Sequence, residues 1–551
     1  MNLLPSLDNL TLDNSQLDTV MTPLPEEQQH LIASGSYGSI HEITSTHDDS
    51  EQRNSTFTPT KSGSSPPRPV LARTQTSFMV DARQFTPGTL PHSIVHAVCI
   101  GIVCGISAFL YDAVSGWLLE FLWHTLPQKY VIDIWPEWCY VYWIPLIGLS
   151  MAVLIGISVM CLGDPGDLPY TIKCVHEEGF IAMSHVLPMI VTSLFSILGG
   201  SSVGPEAPLV AICAALGGLV SMRFFKNNNR NIVRKHTLMG MAGALAAFFG
   251  CPLGGSLFAL EVNSRFGVEY FEHAIEAVFC GEVTLAVFRG LARIPIDSIW
   301  VISSDKLLHA QATDVFLGGA LGLVGALVAY FFASMHFKVM GFVKYMDLLR
   351  DERAVYRGLM GGSVVVLIGM CIPQTMFWGE FEFQTLATLS PSSTLAHIWP
   401  TSGLFGFEMD SAWKCLLTGL AKLVAITFSM AGGYRGGFIF PLFTAGAALG
   451  RAISFVFPSI PPQLTTLCMA ASLNVAITRT ALATTLILIS LSDEPRACSA
   501  VLGASLASLF ATGYMPFIKS QITRSDLYVS LYYIDGTDPM ADEKDDEHVC
   551  V

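Results

Sequence analysis

The sequence predicts an all-α polytopic membrane protein built from broken and tilted transmembrane helices. Hydrophobic residues make up 51% of its 551 residues and charged residues only 13%, unlike a soluble globular protein. Many apolar stretches are candidate spans, but several fall short of the roughly 20 residues that a membrane helix needs or are cut by glycine and proline. Two glycine-rich breaks, at Gly199 and Gly432, lie 233 residues apart, which is typical of transporter folds made from two inverted repeats.

The membrane domain is predicted over residues 89–525, and the candidate spans alternate with polar connections. The spans run over 93–122, 140–162, 180–199, 237–260, 313–337, 357–373, 411–431, 438–457, 465–491 and 496–518. Residues 268–290 form a weakly amphipathic piece between spans. The charged linker Arg350–Arg357 is expected to leave the membrane, and residues 374–410 are expected to form an extended loop.

The two ends of the chain differ in composition from this domain. Residues 1–88 are rich in Ser, Thr, Pro and Gln, which predicts a disordered cytosolic tail. Residues 526–551 are expected to form a short acidic tail without a folded C-terminal domain. The net charge of −14 argues against a nucleic-acid partner, which would need a basic face. The 13 cysteines form no C-x-x-C pair, and we expect no metal and no cofactor.

The first glycine-rich break carries a carboxylate inside an apolar region. Glu206 follows Gly204 and Pro205, and a small-residue helix over Leu209–Leu219 comes next. A carboxylate at bilayer depth is costly and by default marks an ion or proton path. Free N–H groups at a helix start form an anion site, so we interpret this break as an anion-binding cavity. The alternative is a glutamate that only caps a buried helix.

Two further breaks support a shared site. Residues 431–441 contain Gly437, Phe438 and Ile439 and precede a small-residue helix from Leu442. Corresponding breaks in two halves of a transporter indicate a common binding site. Residues 161–169 contain Asp164 and Asp167, and we expect both acids to cap a helix that begins near Leu168, with Asp167 as the N-cap and ion binding as the alternative.

Together these motifs resemble the CLC family of chloride channels and chloride/proton antiporters. The segments 204–208, 437–441 and 165–169 are similar to the family's Gly-basic-Glu-Gly-Pro, Gly-x-Phe-x-Pro and Gly-Ser-Gly-Ile-Pro motifs. The segment 251–261 resembles the Pro-Leu-x-Gly-x-x-Phe-x-x-Glu stretch downstream of the gating glutamate. The resemblance implies an inverted-repeat subunit with its own pore, a homodimer in a lipid bilayer, and chloride or other small anions as the permeant species.

The resemblance also implies roles for individual residues. Glu206 takes the place of the gating glutamate, and Gly204, Pro205, Gly166, Gly437, Phe438 and Ile439 take anion-binding positions. The family's pore tyrosine falls near Phe517 or Ile518, with Tyr514 close by. The sequence differs from the family's motifs at two anion-binding positions, where Pro205 stands in place of a basic residue and Gly166 in place of a serine. Paired regulatory CBS domains, usual in eukaryotic members, are not expected.

Proton coupling depends on a further position. In the family's antiporters a second glutamate relays protons, and that position is Val262 here, one residue after Glu261. The sequence therefore predicts a multi-pass membrane protein that conducts anions passively and is gated by Glu206, with chloride/proton exchange as the alternative. Asp112 and Asp164 leave an intramembrane protease as an alternative from another class, and the altered motifs leave a non-conducting scaffold. We do not expect an enzyme.

Overall fold

A computed structural model describes residues 90–227, 229–263, 268–300, 302, 311–388, 390–395, 398–513 and 517. Both predicted tails therefore lie outside the described residues. Within them are sixteen α-helices of nine residues or more. They are α1 (Leu90–Glu120), α2 (Trp143–Leu162), α3 (Leu168–Glu177), α4 (Val186–Leu198), α5 (Glu206–Leu219), α6 (Arg230–Phe249), α7 (Pro252–Asn263), α8 (Val268–Ala292), α9 (Ala312–Tyr345), α10 (Ala354–Cys371), α11 (Glu380–Thr388), α12 (Ala412–Ala431), α13 (Ile439–Val456), α14 (Pro462–Thr478), α15 (Ala481–Ser492) and α16 (Cys498–Ala511).

The helices form two repeated halves, α1–α8 and α9–α16, as predicted. Helix α1 packs against α8 as α9 packs against α16, and α5 packs against α6 as α13 packs against α14. Helices α4 and α12 each end at the residue before a glycine-rich break. Helices α5 and α13 begin after these breaks, at Glu206 and Ile439, which are 233 residues apart. The fold is thus an inverted repeat of broken helices, and its site lies where the two breaks meet.

Seven helical stretches in the described part of the chain are long and apolar enough to cross a membrane. They cover 92–130, 137–162, 206–224, 312–345, 351–371, 412–431 and 439–456. The α5 and α13 stretches are also extensively buried by protein. The chain is therefore a multi-pass membrane protein in which the helices that begin at the breaks are the central ones.

Two of the predicted spans are each divided into two helices. The span 237–260 breaks between α6 and α7, where Gly250 has φ +63° and Pro252 starts the next helix. The span 465–491 breaks between α14 and α15, where Arg479 adopts φ +61°. Apolar residues continue through the first break, so hydropathy alone does not separate α6 from α7, whereas the second break contains the polar sequence Thr478-Arg479-Thr480.

The weakly amphipathic piece predicted at 268–290 is the 25-residue helix α8. The prediction of an extended loop is wrong. The expected loop 374–410 contains α11, whose Phe383 and Leu386 are fully buried. Arg357, at the end of the charged linker, lies inside the protein with 8% exposure because its guanidinium reaches Asp164.

Candidate ion-transport site

The two glycine-rich breaks meet at a pair of glycines. Gly204 donates its N–H to the Gly437 carbonyl at 2.8 Å, and Gly437 donates its N–H to the Gly204 carbonyl at 2.7 Å. These residues are 233 positions apart, so each occupies the equivalent place in its own half. The antiparallel bridge therefore lies where the repeat symmetry relates the two halves, and it also occupies both glycine N–H groups.

Glu206 is placed beside this bridge by the start of α5. Its side chain crosses to the other half, where Oε1 accepts hydrogen bonds from Ile439 N at 3.0 Å and Phe440 N at 3.4 Å. Both donors belong to the first turn of α13, whose N–H groups and dipole favour an anion. Glu206 is 1% exposed, and its Oε2 is buried without a hydrogen-bond donor among the described residues. The carboxylate thus occupies an anion site formed by the second break.

Both bridging glycines leave the space that this carboxylate fills. A Cβ atom added to Gly437 would contact Cγ, Cδ and Oε1 of Glu206, and one added to Gly204 would contact Oε2. Neither glycine has a positive φ, so the backbone would accept alanine at both positions. The requirement for glycine is therefore the volume of the Glu206 side chain rather than backbone conformation.

Two small cavities lie on either side of the chain around Gly437. Gly437 and Ile439 line one of them together with Glu206, while Gly436 and Phe438 line the other. Alternate residues of this short segment therefore face different cavities. Ala207 contributes to both walls. The Glu206 side chain belongs to the first cavity, which we call the glutamate cavity, and the second is called the arginine cavity because Arg435 lines it.

The glutamate cavity is lined mainly by apolar side chains, including Val262. Its volume is about 10 Å³, close to the least that one water molecule needs. Asn263 also lines it, and Asn263 Oδ1 is buried without a donor among the described residues. The neighbouring Glu261 is directed elsewhere, since its Oε2 accepts a hydrogen bond from Ala483 N at 3.4 Å, in the first turn of α15. Val262 thus lines the same cavity as Glu206, while the carboxylate of Glu261 contacts another helix.

The arginine cavity contains Gly166 and the start of α3. The prediction that Asp167 is the N-cap of α3 is confirmed, because its Oδ1 accepts from Tyr170 N at 3.0 Å. The same prediction for Asp164 is wrong. Asp164 binds the guanidinium of Arg435, lies 3.7 Å from Arg357 Nη1 and accepts from Gly166 N at 2.9 Å. Arg435 belongs to the second break, so Asp164 forms an ion pair with the other half of the fold.

The other predicted site residues lie at the same place in the fold. Pro205 is the residue before α5 and has no N–H to donate. Phe438 precedes α13, and its ring packs against that of Phe517 with centroids 6.2 Å apart. Phe517 also contacts His336 of α9. Tyr514 and Ile518 lie outside the described residues. Anion binding stays a prediction for all the positions that the resemblance gave, namely Gly204, Pro205, Gly166, Gly437, Phe438, Ile439 and Phe517.

Sequence reasoning missed three residues of this site. Phe440 is a donor to Glu206, Asn263 lines the glutamate cavity, and Arg435 binds Asp164. Arg435 had a signal, because a charged residue inside a glycine-rich break of an apolar region needs a partner or a ligand. Phe440 shares the signal that predicted its neighbours Phe438 and Ile439, which is the set of free N–H groups at a helix start. Asn263 had no signal, since a single buried amide is common in helices.

Comparison with known proteins agrees with this geometry. Residues 151–513, well over half of the chain, match the family described as "Voltage gated chloride channel". YfeO, a candidate ion-transport protein of Escherichia coli O17:K52:H18, is 24% identical over 388 residues, covering 70% of this chain and 84% of its own length. The corresponding protein of Escherichia fergusonii gives the same values.

Solved structures share the fold. A slow cyanobacterial Cl⁻/H⁺ antiporter superposes with a TM-score of 0.65 at 18% identity, covering 80% of this chain and 100% of that one. A CLC-type fluoride/proton antiporter gives 0.60 at 18% identity, with 80% and 99% covered. A eukaryotic CLC transporter gives 0.57 at 17% identity, with 78% and 74% covered. With its family match and its paired breaks around Glu206, the chain belongs to the voltage-gated chloride channel family.

Proposed function

We propose that this protein exchanges a small anion, such as chloride, for protons across a membrane, and that Glu206 takes part in both movements. The observation that carries the proposal is the position of the Glu206 carboxylate on the Ile439 and Phe440 amides. A free anion would seek the same amides, so the ionised side chain and the anion exclude each other. Protonation removes the negative charge of the side chain and with it the competition, which links proton binding to anion entry.

Exchange is proposed ahead of the passive channel that the sequence predicted, for two reasons. Two proteins with the same fold are named as anion/proton antiporters. In addition, the glutamate cavity offers a place for a proton carrier, because Glu206 and Asn263 both line it and each retains a buried oxygen without a donor among the described residues. A water molecule that donates to such an oxygen would satisfy it, and buried waters typically bond to polar groups that are otherwise unsatisfied.

Passive conduction is the second candidate, and Val262 favours it. This side chain cannot bind a proton, and the cavity wall around it is largely apolar. Burying a water or a proton against such a wall is costly unless polar groups compensate. The two candidates therefore differ in whether Asn263 and the glutamate cavity are sufficient to bring protons to Glu206.

Proton movement in liposomes distinguishes the candidates. Protein reconstituted into vesicles with a chloride gradient and no initial pH gradient should drive protons uphill at a fixed ratio to chloride. Chloride flux without proton movement would support the passive channel. The absence of any flux with chloride, nitrate or fluoride would support a non-conducting scaffold. The family match leaves the intramembrane-protease alternative without support.

Two finer properties follow from the family resemblance and are part of the proposal. Voltage sensitivity is expected because an ionised Glu206 that moves within the membrane field changes its energy by about 2.3 kcal/mol per 100 mV for a full crossing. A homodimer with one pore in each subunit is expected from the resemblance. Neither property is required for the exchange step at Glu206.

A further inference from the structure

A stretch of positive charge without acids follows the central helix α5. Between Glu206 and Glu261 the chain contains no aspartate or glutamate, and its arginines and lysines all lie close together, namely Arg223, Lys226, Arg230, Arg234 and Lys235. The stretch 223–235 joins the end of α5 to the first turns of α6, and we call it the basic connection. In a protein with a net charge of −14, such a concentration of cations indicates an anionic partner.

Two cations of the basic connection, Lys226 and Arg230, face outward. Both are exposed, and among the described residues no carboxylate forms an ion pair with either of them. Lys235 differs, because it binds Glu276 at 2.5 Å. The charges of Lys226 and Arg230 therefore remain for a partner outside the described part of the chain.

Residues 224–227 form a defined turn. The backbone N–H of Asn227 donates to the Ser221 carbonyl at 3.0 Å, and its side chain donates to Ser221 Oγ at 3.3 Å. The ring of Phe225 stacks on that of His96 in α1, with centroids 3.7 Å apart. Since Phe225 packs against α1, its neighbours Phe224 and Lys226 lie on the outer surface, where both are exposed.

Exposed apolar side chains lie beside these cations. Phe224 is 72% exposed and Ile232 is 38% exposed. Phe224 is also the last residue of the apolar stretch 206–224, which is long enough to cross a membrane. Cations that directly follow a membrane span lie at the level of the lipid headgroups, where apolar neighbours reach the acyl chains. The basic connection thus combines cations and apolar side chains at the membrane surface.

We infer that the basic connection binds the headgroup of an anionic phospholipid, with Lys226 and Arg230 on the phosphate and Phe224 and Ile232 against the acyl chains. A soluble acidic partner, such as the acidic stretch 542–547 of this chain, would match the cations but leave both apolar side chains in water. The inference does not depend on the proposed function, because it uses no residue that contacts Glu206.

The lipid site lies at the end of α5 opposite to Glu206. Helix α5 begins at Glu206 and continues through the π-helical turn Val220–Phe224. A lipid bound around Phe224 would therefore hold this end of α5 at the membrane surface.

Lipid retention by the full-length protein tests the inference. The detergent-solubilised protein is mixed with phosphatidylglycerol or phosphatidylcholine, and bound lipid is counted by native mass spectrometry. The parent should retain phosphatidylglycerol in preference to phosphatidylcholine. Lys226→Gln combined with Arg230→Gln should lower the affinity for phosphatidylglycerol roughly 30-fold, because two cations at the headgroup level are lost. Phe224→Ser should lower the affinity for both lipids severalfold, because it removes apolar contact.

The matched control removes two exposed cations elsewhere. Arg350 and Lys414 are paired with Asp347 and Asp410, so Arg350→Gln combined with Lys414→Gln should leave phosphatidylglycerol retention unchanged. A loss as large as that of the Lys226 and Arg230 variant would make net charge the cause and overturn the inference.

The remaining outcomes are also decisive. Parental affinity for phosphatidylglycerol after substitution of Lys226 and Arg230 would overturn the inference. If that variant does not give stable protein, the parent decides, because rising ammonium acetate should weaken retention of phosphatidylglycerol far more than that of phosphatidylcholine. Equal salt dependence of the two lipids would refute binding through the phosphate. Binding of glycerol 1-phosphate as tight as that of phosphatidylglycerol would refute a lipid site and leave one for soluble phosphate.

Discussion

Substituting Gly437 by alanine should expel the Glu206 carboxylate from its site. The added methyl group would occupy the position of Cγ, Cδ and Oε1 of Glu206, and the backbone at residue 437 accepts alanine. The flexible glutamate would move rather than the bridge, because the bridge is held by two backbone hydrogen bonds of 2.7 and 2.8 Å. Gly437→Ala should therefore hold the pathway open without replacing any side chain that takes part in transport.

The size of the effect can be worked out from the hydrogen bonds lost. Glu206 Oε1 accepts one well-formed bond of 3.0 Å and one long bond of 3.4 Å. Hydrogen bonds to charged groups contribute about 1.5–3 kcal/mol each, and the long one less, so the closed arrangement loses roughly 2–4 kcal/mol. With about 1.4 kcal/mol for each factor of ten, the closed-to-open ratio should fall roughly 30- to 700-fold.

Chloride efflux from liposomes at several pH values measures this change. Gly437→Ala should raise efflux and remove most of its dependence on pH, and Gly204→Ala should do the same because its methyl group would meet Oε2. Gly319→Ala in α9 is the control, since its Cβ meets open space. Combining Gly437→Ala with Glu206→Gln should add nothing to Glu206→Gln alone, because both act on one contact. Parental pH dependence in Gly437→Ala would refute this account of the site.

Further predictions concern the gate, the proton route, stability and assembly. Glu206→Gln should fold and keep anion flux but lose its pH dependence, and unchanged pH dependence would mean that Glu206 is structural. Asn263→Leu should reduce proton movement in liposomes severalfold more than chloride flux, with Met241→Leu on the same cavity wall as the control. Lys422→Met should lower the free energy of unfolding by about 3–6 kcal/mol, because Lys422 Nζ donates to three buried carbonyls at 2.7–3.1 Å. Thermal unfolding in detergent measures this, and the exposed Lys414→Met should change little. Light scattering after size-exclusion chromatography should give the molar mass of a dimer. A monomer that keeps full activity would contradict the expected homodimer.

The positions of the helix breaks could be predicted from the sequence. Glycine and proline at 199–208 and 432–441 interrupt apolar stretches, and the structure has α5 and α13 beginning at Glu206 and Ile439. The break at Gly250 was missed because apolar residues continue on both sides of it. Hydropathy cannot distinguish one long apolar span from two consecutive apolar helices.

The contacts between the breaks could not be predicted to the residue. Asp164 and Arg435 are 271 positions apart, and a single sequence does not say which distant residues meet. Capping was the local explanation for Asp164, and it was wrong because a cation from the other half of the fold lay within reach. The exact donors to Glu206 were likewise undetermined, since every residue but proline carries the same N–H group.

The repeat is symmetric in its backbone but not in its chemistry, and the proposed function depends on that difference. Glu206 and Ile439 occupy equivalent positions, 233 residues apart, on either side of the glycine bridge. One half supplies a carboxylate, and the other supplies the amides that bind it. A carboxylate in both halves would bring two negative charges together at bilayer depth, and an apolar residue in both would leave no group to bind a proton. A single acid at one of two equivalent positions therefore gives a site that the anion and the proton can occupy in turn.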